Sequence, residues 1–231
     1  MSSDVNEHGQ AVGSSLPGWV SPPVPPHTPM EGRLCRLVPL DAALHGPALY
    51  AANQPDDGSM WTYLPYGPFP DLGSYLGWLT PWGRQTDPLS WAILDAASGE
   101  PVGLAGYLRI DPANGVIEVG HLHFSPRLRR RAAATEAMFL MMGRAFELGY
   151  RRYEWKCDSL NAPSRRAAER LGFQFEGLFR QAIVYKGRTR DTAWYSVIDS
   201  EWAALRSRFT QWLDPGNFDL SGGQRRRLEE C

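Results

Sequence analysis

The sequence predicts a mixed α/β fold of the α+β kind, with a mostly antiparallel central sheet flanked by helices. Three observations point there. Two apolar runs, Leu89 to Leu94 and Pro101 to Ile110, are joined by the turn-rich Asp95-Ala96-Ala97-Ser98-Gly99-Glu100, which reads as an antiparallel hairpin. A third strand-like run, Ile117 to Phe124, follows the turn Asp111-Pro112-Ala113-Asn114-Gly115 and extends the meander. Beyond Ser125-Pro126 the pattern becomes helical, and the next strand, Tyr153 to Cys157, lies past that helix. A strand reached through a helix runs parallel to its predecessor by a right-handed crossover.

With 231 residues and an ordinary apolar fraction, the chain can bury one core. One domain over residues 31–213 is expected between two tails. Residues 1–30 end in the proline-rich VSPPVPPHTP and read as disordered or extended. From Asp214 to residue 231 the chain reads as loose, with Arg225-Arg226-Arg227 a solvated run. A formal net charge of −1 gives no bulk attraction to nucleic acid or membrane. No apolar run approaches the ~20 residues that cross a bilayer, and the N-terminus lacks the apolar core of a signal peptide. Cys35, Cys157 and Cys231 are odd in number and widely spaced, so neither a disulfide framework nor a metal quartet is expected, and a reducing cytoplasm fits.

In chain order, Arg33 to Val38 alternates as a first strand, and Asp41 is placed to cap a helix carrying Leu44, Leu49 and Ala52. The segment from Trp61 to Phe69 has no period, is dense in aromatics and is stiffened by Pro65 and Pro68; it reads as a core seal or as one wall of a substrate cleft. Asp71 caps a second helix through Leu72, Tyr75, Leu76 and Leu79, curtailed by Pro81. After the three strands already named, Ala132 to Met142 is rich in helix formers and Gly149 stops the helix. Asn161 or Ser164 starts another helix that ends at Gly172. Phe173 to Glu176, Ala182 to Tyr185 and Thr192 to Ile198 are strand-like, with a tight turn at Lys186-Gly187-Arg188. Trp202, Leu205, Phe209 and Trp212 share one face of a terminal helix.

Within this scheme the junction from strand to helix at residues 124–134 stands out. A helix entered directly from a strand leaves its first backbone N–H groups unpaired at the positive end of the helix dipole, and these bind anions. Arg127, Arg129, Arg130 and Arg131 add cationic side chains suited to phosphate, and the small Ala132 and Ala134 allow close approach to the backbone. A solvated basic loop is the bland alternative.

The segment resembles the coenzyme A loop of the GNAT acetyltransferase superfamily, Gln/Arg-x-x-Gly-x-Gly/Ala, at Arg129-x-x-Ala132-x-Ala134 with the continuation Thr135-Glu136-Ala137. The first glycine is replaced by Ala132. Glu118-Val119-Gly120-His121 resembles the Glu-Ile-Gly-Tyr of the RimJ/RimL-type branch. Asn161-Ala162-Pro163-Ser164 resembles its Asn-x-x-Ser, and Arg170-Leu171-Gly172-Phe173 its Lys/Arg-Leu-Gly-Phe ending. The likeness runs from about Gly32 to Asp199. It implies the GNAT fold, in which the central strand and the one after it splay apart to receive acetyl-CoA as co-substrate. It also implies cofactor contacts from Leu122, His123 and Phe124, from Arg129, Arg130, Arg131, Ala132, Ala133, Ala134 and Thr135, and from Asn161 and Ser164.

Acetyl transfer to an amine needs a neutral amine, a polarised carbonyl and a protonated thiolate. Glu118 matches a glutamate often given the role of base in the family; pairing with a basic neighbour is its structural alternative. His121 is the rival base, since its ordinary pKa of about 6.5 suits neutral pH. By resemblance, Ser164 faces the sulfur as the acid, although Asn161 and Ser164 are also ordinary helix caps. Cys157 reads as a buried strand residue. His121 and His123, read as pointing apart, lack further ligands at suitable spacing, so no metal site is expected.

Among the nine tryptophans, Trp61, Trp155 and Trp194, with Tyr63 and Tyr66, suit an acceptor pocket for a flat or apolar amine. The expected function is acetyl-CoA-dependent N-acetylation of a small amine. Protein N-terminal acetylation and a catalytically dead CoA sensor are the alternatives. No membrane partner is expected, nucleic-acid binding is disfavoured, and an exposed final strand could support a homodimer.

Overall fold

The computed structural model describes residues 3–231. Two short strands, β1 (Ser3–Val5) and β2 (Ala11–Gly13), pair only with each other. The others form an eight-stranded sheet. Its first six members in spatial order are β3 (Met30–Glu31), β4 (Cys35–Pro39), β5 (Leu89–Asp95), β6 (Pro101–Asp111), β7 (Val116–Phe124) and β8 (Arg152–Asp158). Beyond β8 lie β10 (Arg188–Ile198) and, at the edge, β9 (Gln174–Tyr185). Every neighbouring pair is antiparallel except β7 and β8, which are parallel.

Helices α1 (Ala42–Asn53) and α2 (Leu72–Trp82) cover one core, built on Val38, Leu49, Tyr75, Leu79 and Leu104. Helices α3 (Ala132–Glu147), α4 (Ala162–Arg170) and α5 (Asp199–Leu213) cover the larger core. On α3, residues 137, 138, 141, 142 and 145 are buried, the stripe that a 3.6-residue period places on one face. Each large apolar side chain so buried contributes about 1.5–3 kcal/mol. Asp41 caps α1 by accepting from the amides of Ala43 and Leu44 at 2.9 and 3.1 Å, and Asp71 caps α2 by accepting from Ser74 at 2.7 Å. Gly149 and Gly172, at φ +96° and +92°, end α3 and α4. At Gly172 space also demands glycine: a Cβ would stand 2.6 Å from Leu205 Cδ1.

β7 carries a bulge that decides which side chains reach which core. Gly120 pairs with Gly106 and His123 with Leu104, so His121 and Leu122 together oppose Ala105. His121 sits at φ +51°, in the left-handed region. Ile117 and Val119 belong to the larger core; past the bulge it is Leu122 and Phe124 that pack against it. His121 and His123 are thereby turned to the opposite face, towards α1 and α2. The expectation that these two histidines point apart is corrected: both meet the same aromatic layer.

Three further departures have physical causes. β9 is one continuous strand where two short ones were expected; it lies at the sheet edge and is almost wholly exposed, so it carries no alternating burial to read. Residues 21–30 are not a free tail. Their carbonyls accept side-chain donors from the domain: Trp91 Nε1 and Arg144 Nη1 donate to Thr28 O at 3.0 and 2.8 Å, and the Tyr150 hydroxyl to Pro23 O at 3.2 Å. A proline-rich segment keeps its acceptors while losing donors, so such docking completes its hydrogen bonds. Residues 214–231 are not loose either. Leu228 is 2% exposed in the larger core, and the buried Asn217 donates to the Trp212 and Arg226 carbonyls.

Candidate active site

The parallel ladder between β7 and β8 runs from Val116↔Arg152 to Val119↔Trp155 and stops. β7 continues to Phe124 and β8 to Asp158, so the two strands part there. The edge of Gly120–Phe124 turned towards β8 is left without a strand partner, which frees backbone donors and acceptors for a ligand.

At the far end of β7 the chain turns tightly: the Leu128 and Arg129 amides both donate to Ser125 O, at 2.9 and 3.0 Å, and Arg130 takes φ +61°. Helix α3 then begins at Ala132 with no side chain capping it. Of its first-turn amides Ala134 donates to Arg131 O at 3.1 Å, which leaves those of Ala132 and Ala133 beside Arg130 and Arg131, neither of which has an ion-pair partner among the described residues. Ala132, Ala133 and Ala134 are half-buried and small. This donor set fits a pyrophosphate. Arg129 is engaged differently, paired with the carboxylate of Asp56, which is held in turn by the amides of Gly58 and Met60 at 2.9 and 3.1 Å. Thr135 is buried and its hydroxyl accepts from Arg170 Nη2 at 2.7 Å.

Glu118 is 2% exposed and fully engaged. Arg109 grips it with Nε at 2.7 Å and Nη2 at 2.8 Å, and Lys156 Nζ approaches at 2.9 Å. Lys156 also meets Glu154 at 2.8 Å and lies 3.6 Å from the Trp194 ring centroid. Arg152 continues the network to Glu154 and Glu176. The bland alternative for Glu118, pairing with basic neighbours, describes its surroundings.

His121 lies beside Tyr66 and Trp82. Its Nδ1 is 3.2 Å from the Tyr66 hydroxyl, and its ring centroid is 4.2 Å from that of Trp82. Burial first, then the positive charge of Arg109, lowers its pKa to about 4. His123 is 1% exposed, 4.5 Å from the Trp61 ring, and neither of its nitrogens has a hydrogen-bond partner in the structure. Burial first, then the charge of Arg129, lowers its pKa to about 3. Both imidazoles are neutral at pH 7. Trp61, Tyr66, Phe69, Trp78 and Trp82 form the layer they join. Two contacts pin this layer over the parted strands: Lys186 Nζ donates to Trp61 O at 2.7 Å, and the Tyr63 hydroxyl donates to Leu160 O at 3.1 Å.

Asn161 caps α4 by accepting from the Ser164 amide at 3.1 Å. The Ser164 oxygen accepts from Trp155 Nε1 at 3.1 Å, and its O–H lies beside the Cys157 sulfur. Trp155 and Trp194 do not join the Trp61–Tyr66 layer; their ring neighbours are Phe173 and Phe179. Sequence reading passed over Arg109, Lys156, Asp56, Trp78 and Trp82. The two tryptophans were within reach, since 75, 78, 79 and 82 trace one helical stripe. No cluster of three or more metal-ligating side chains occurs among the described residues, and no helix there is long and apolar enough to cross a membrane.

Residues 35–174 match the family model described as "Acetyltransferase (GNAT) domain". A GCN5-related N-acetyltransferase from Brucella melitensis is 50% identical in sequence, over 93% of this chain and 98% of that one, with a TM-score of 0.91. A GNAT-family protein from Chromobacterium violaceum is 47% identical over 82% and 96% of the two chains, with a TM-score of 0.77. The uncharacterized N-acetyltransferase p20 of Bacillus licheniformis is 31% identical over 114 residues, a match spanning 49% of this chain and 64% of that protein, under two thirds of its length.

Proposed function

The chain belongs to the GNAT acetyltransferase family, and from that premise we propose that it moves the acetyl group of acetyl-CoA to the primary amine of a small molecule by direct transfer. The observation that carries this reading is the parting of β7 and β8 beyond Val119↔Trp155, next to an α3 start that no side chain caps. The coenzyme supplies an activated acetyl thioester. The protein's part is to bind, orient and move protons.

The pyrophosphate of the coenzyme would rest on the first-turn amides of α3 with Arg130 and Arg131. Its amide-bearing arm would pair with the free edge of Gly120–Phe124 and with Asn161. His121 is assigned the base. Being neutral at pH 7, it can take the proton that the amine nitrogen sheds once attack has made it cationic. Glu118, held by two cations, is assigned to anchoring Arg109 and Lys156 rather than to proton transfer. Ser164 is assigned the protonation of the departing thiolate. The RimJ/RimL-type reading rests on Glu118-Val119-Gly120, Asn161-x-x-Ser164 and Leu171-Gly172-Phe173.

A small acceptor is favoured over a protein N-terminus because Lys186 and Tyr63 tie the aromatic loop down over the parted strands, narrowing the approach. Calorimetric titration with acetyl-CoA and with CoA, followed by turnover on a panel of aryl, alkyl and peptide amines, tests the reading. Micromolar binding and acetylation of a small amine are expected. Absence of acetyl-CoA binding would remove it, and acetylation confined to peptides would transfer it to protein N-termini.

A further inference from the structure

The segment after α5 does more than fill space. It closes one side of a cavity of about 580 Å³ beside the start of α3, lined by Arg130, Arg131, Arg170, Trp212, Arg227 and Glu229, among others. Four guanidinium groups share this cavity with one carboxylate, and none of the four has an ion-pair partner within 4 Å among the described residues. Arg170 is the most telling. It is half-buried, it donates to the Thr135 hydroxyl at 2.7 Å, and it lies 5.9 Å from the Trp212 ring centroid. A guanidinium half withdrawn from water, which the Glu229 carboxylate reaches only from beyond ion-pair distance, favours a bound anion.

The segment is fixed in a manner that presents Arg227 to the cavity. Asn217, 8% exposed, accepts the Arg226 amide at 2.9 Å and donates to the Arg226 carbonyl at 3.2 Å. Trp212 Nε1 donates to Gln224 Oε1 at 2.9 Å, and Leu228 is anchored in the larger core. Arg227 lies between these two anchors.

We infer that this cavity takes the phosphorylated nucleoside end of coenzyme A, with Arg170 and the tail residue Arg227 holding its ribose 3′-phosphate against the indole of Trp212. The inference rests on the acetyl-CoA reading. It adds a second anion position, separate from the pyrophosphate at the α3 amides, and makes residues 214–231 part of the coenzyme site. The volume lies within the range of small-molecule pockets, and the combination of aromatic wall and clustered arginine matches a base carrying phosphate. Asn217 is a positioning residue for Arg227, with no contact to the ligand assigned to it.

The test compares CoA with 3′-dephospho-CoA by calorimetry on the full chain and on Arg170→Ala, Arg227→Ala and Asn217→Ala. The wild type is expected to bind CoA about tenfold or more tighter than the dephospho form, the worth of one charge-assisted contact. In Arg170→Ala and Arg227→Ala that preference should shrink towards unity while dephospho-CoA affinity changes little; Asn217→Ala should shrink it in part. A wild type that binds both ligands equally overturns the inference without recourse to any variant. So do arginine variants that keep the full preference. A wild type that binds neither form overturns the acetyltransferase reading itself.

Discussion

Lys156, the first β8 residue past the last β7–β8 pair, reaches back to hold Glu118 at 2.9 Å, both side chains being almost wholly buried at 6% and 3% exposure. The ion pair therefore sits at the root of the cleft, where the backbone ladder gives out. A buried carboxylate with three cationic hydrogen-bond donors is costly to unbalance, chiefly through Lys156, which is 6% exposed; Arg109, 57% exposed, can turn to water. Glu154 still serves Lys156 at 2.8 Å, which softens the loss but does not replace Arg109's partner.

Glu118→Gln is accordingly expected to destabilise the fold by about 2 kcal/mol, the scale of a hydrogen bond to a charged group, since Arg109 can be solvated and Lys156 keeps Glu154. Chemical denaturation of wild type and variant measures it. A change under about 0.5 kcal/mol, the scale of an exposed pair, would mean that the network does not hold the strands. The same variant should keep the wild-type shape of its pH–rate profile, because Glu118 is assigned no proton.

His121 carries the pH dependence instead. Its pKa is lowered to about 4 by burial and by Arg109. A base must be unprotonated, so kcat/KM should be flat at neutral pH and fall only as the pH drops towards 4, well below the ordinary histidine value of about 6.5. An aromatic amine acceptor, itself neutral over most of this range, keeps the substrate's own titration out of the profile. His121→Phe should lose roughly 100-fold or more in kcat with little change in KM for acetyl-CoA. An acid limb that survives in His121→Phe would return the role to another group.

His123 makes an independent prediction about stability. Folded, its pKa is about 3; in the unfolded chain it is about 6.5. The folded protein thus refuses a proton that the unfolded chain accepts. This group's contribution is complete above pH 6.5 and is lost progressively as the pH falls through the folded value, at up to about 1.4 kcal/mol per pH unit. His123→Phe keeps a ring among Trp61, Tyr75 and Trp78 but removes the titration, so its stability should fall less steeply between pH 6.5 and 4. Parallel curves for variant and wild type would sink the claim.

How much of this was legible beforehand follows from range. Caps and stops are local, and Asp41, Asp71, Gly149 and Gly172 announced their helix ends. The bulge was also written in the chain: apolar positions 117 and 119 give way to 122 and 124, a slip of one in a period of two, and that slip swings His121 and His123 to the face of α1 and α2. The Glu118 network was not legible. Arg109, Glu118, Lys156 and Trp194 come from four strands, and their meeting depends on a register that one sequence does not specify. The docked tail was missed because a few anchors hold it, Asn217 and Leu228 above all, and these are too sparse to form a pattern.

Asn161 and Ser164 offer the sharpest separation of structure from chemistry, since both could be mere caps. Asn161 does cap α4, through its side-chain oxygen and the Ser164 amide at 3.1 Å. Asn161→Ala should cost about 1 kcal/mol of stability by that route, together with weaker acetyl-CoA binding if its side chain also meets the coenzyme arm. The Ser164 hydroxyl plays no part in the cap. It accepts from Trp155 Nε1 at 3.1 Å, and its O–H lies beside the Cys157 sulfur. Ser164→Ala should therefore leave stability within about 1 kcal/mol, the net worth of one hydrogen bond, and leave acetyl-CoA affinity unchanged. It should lower kcat by about 100-fold, the lower end of general-acid contributions. Ser164→Cys, which restores an acidic proton at the same position, should recover part of that loss. Full turnover in Ser164→Ala would make both residues caps alone and leave the thiolate to be protonated by solvent.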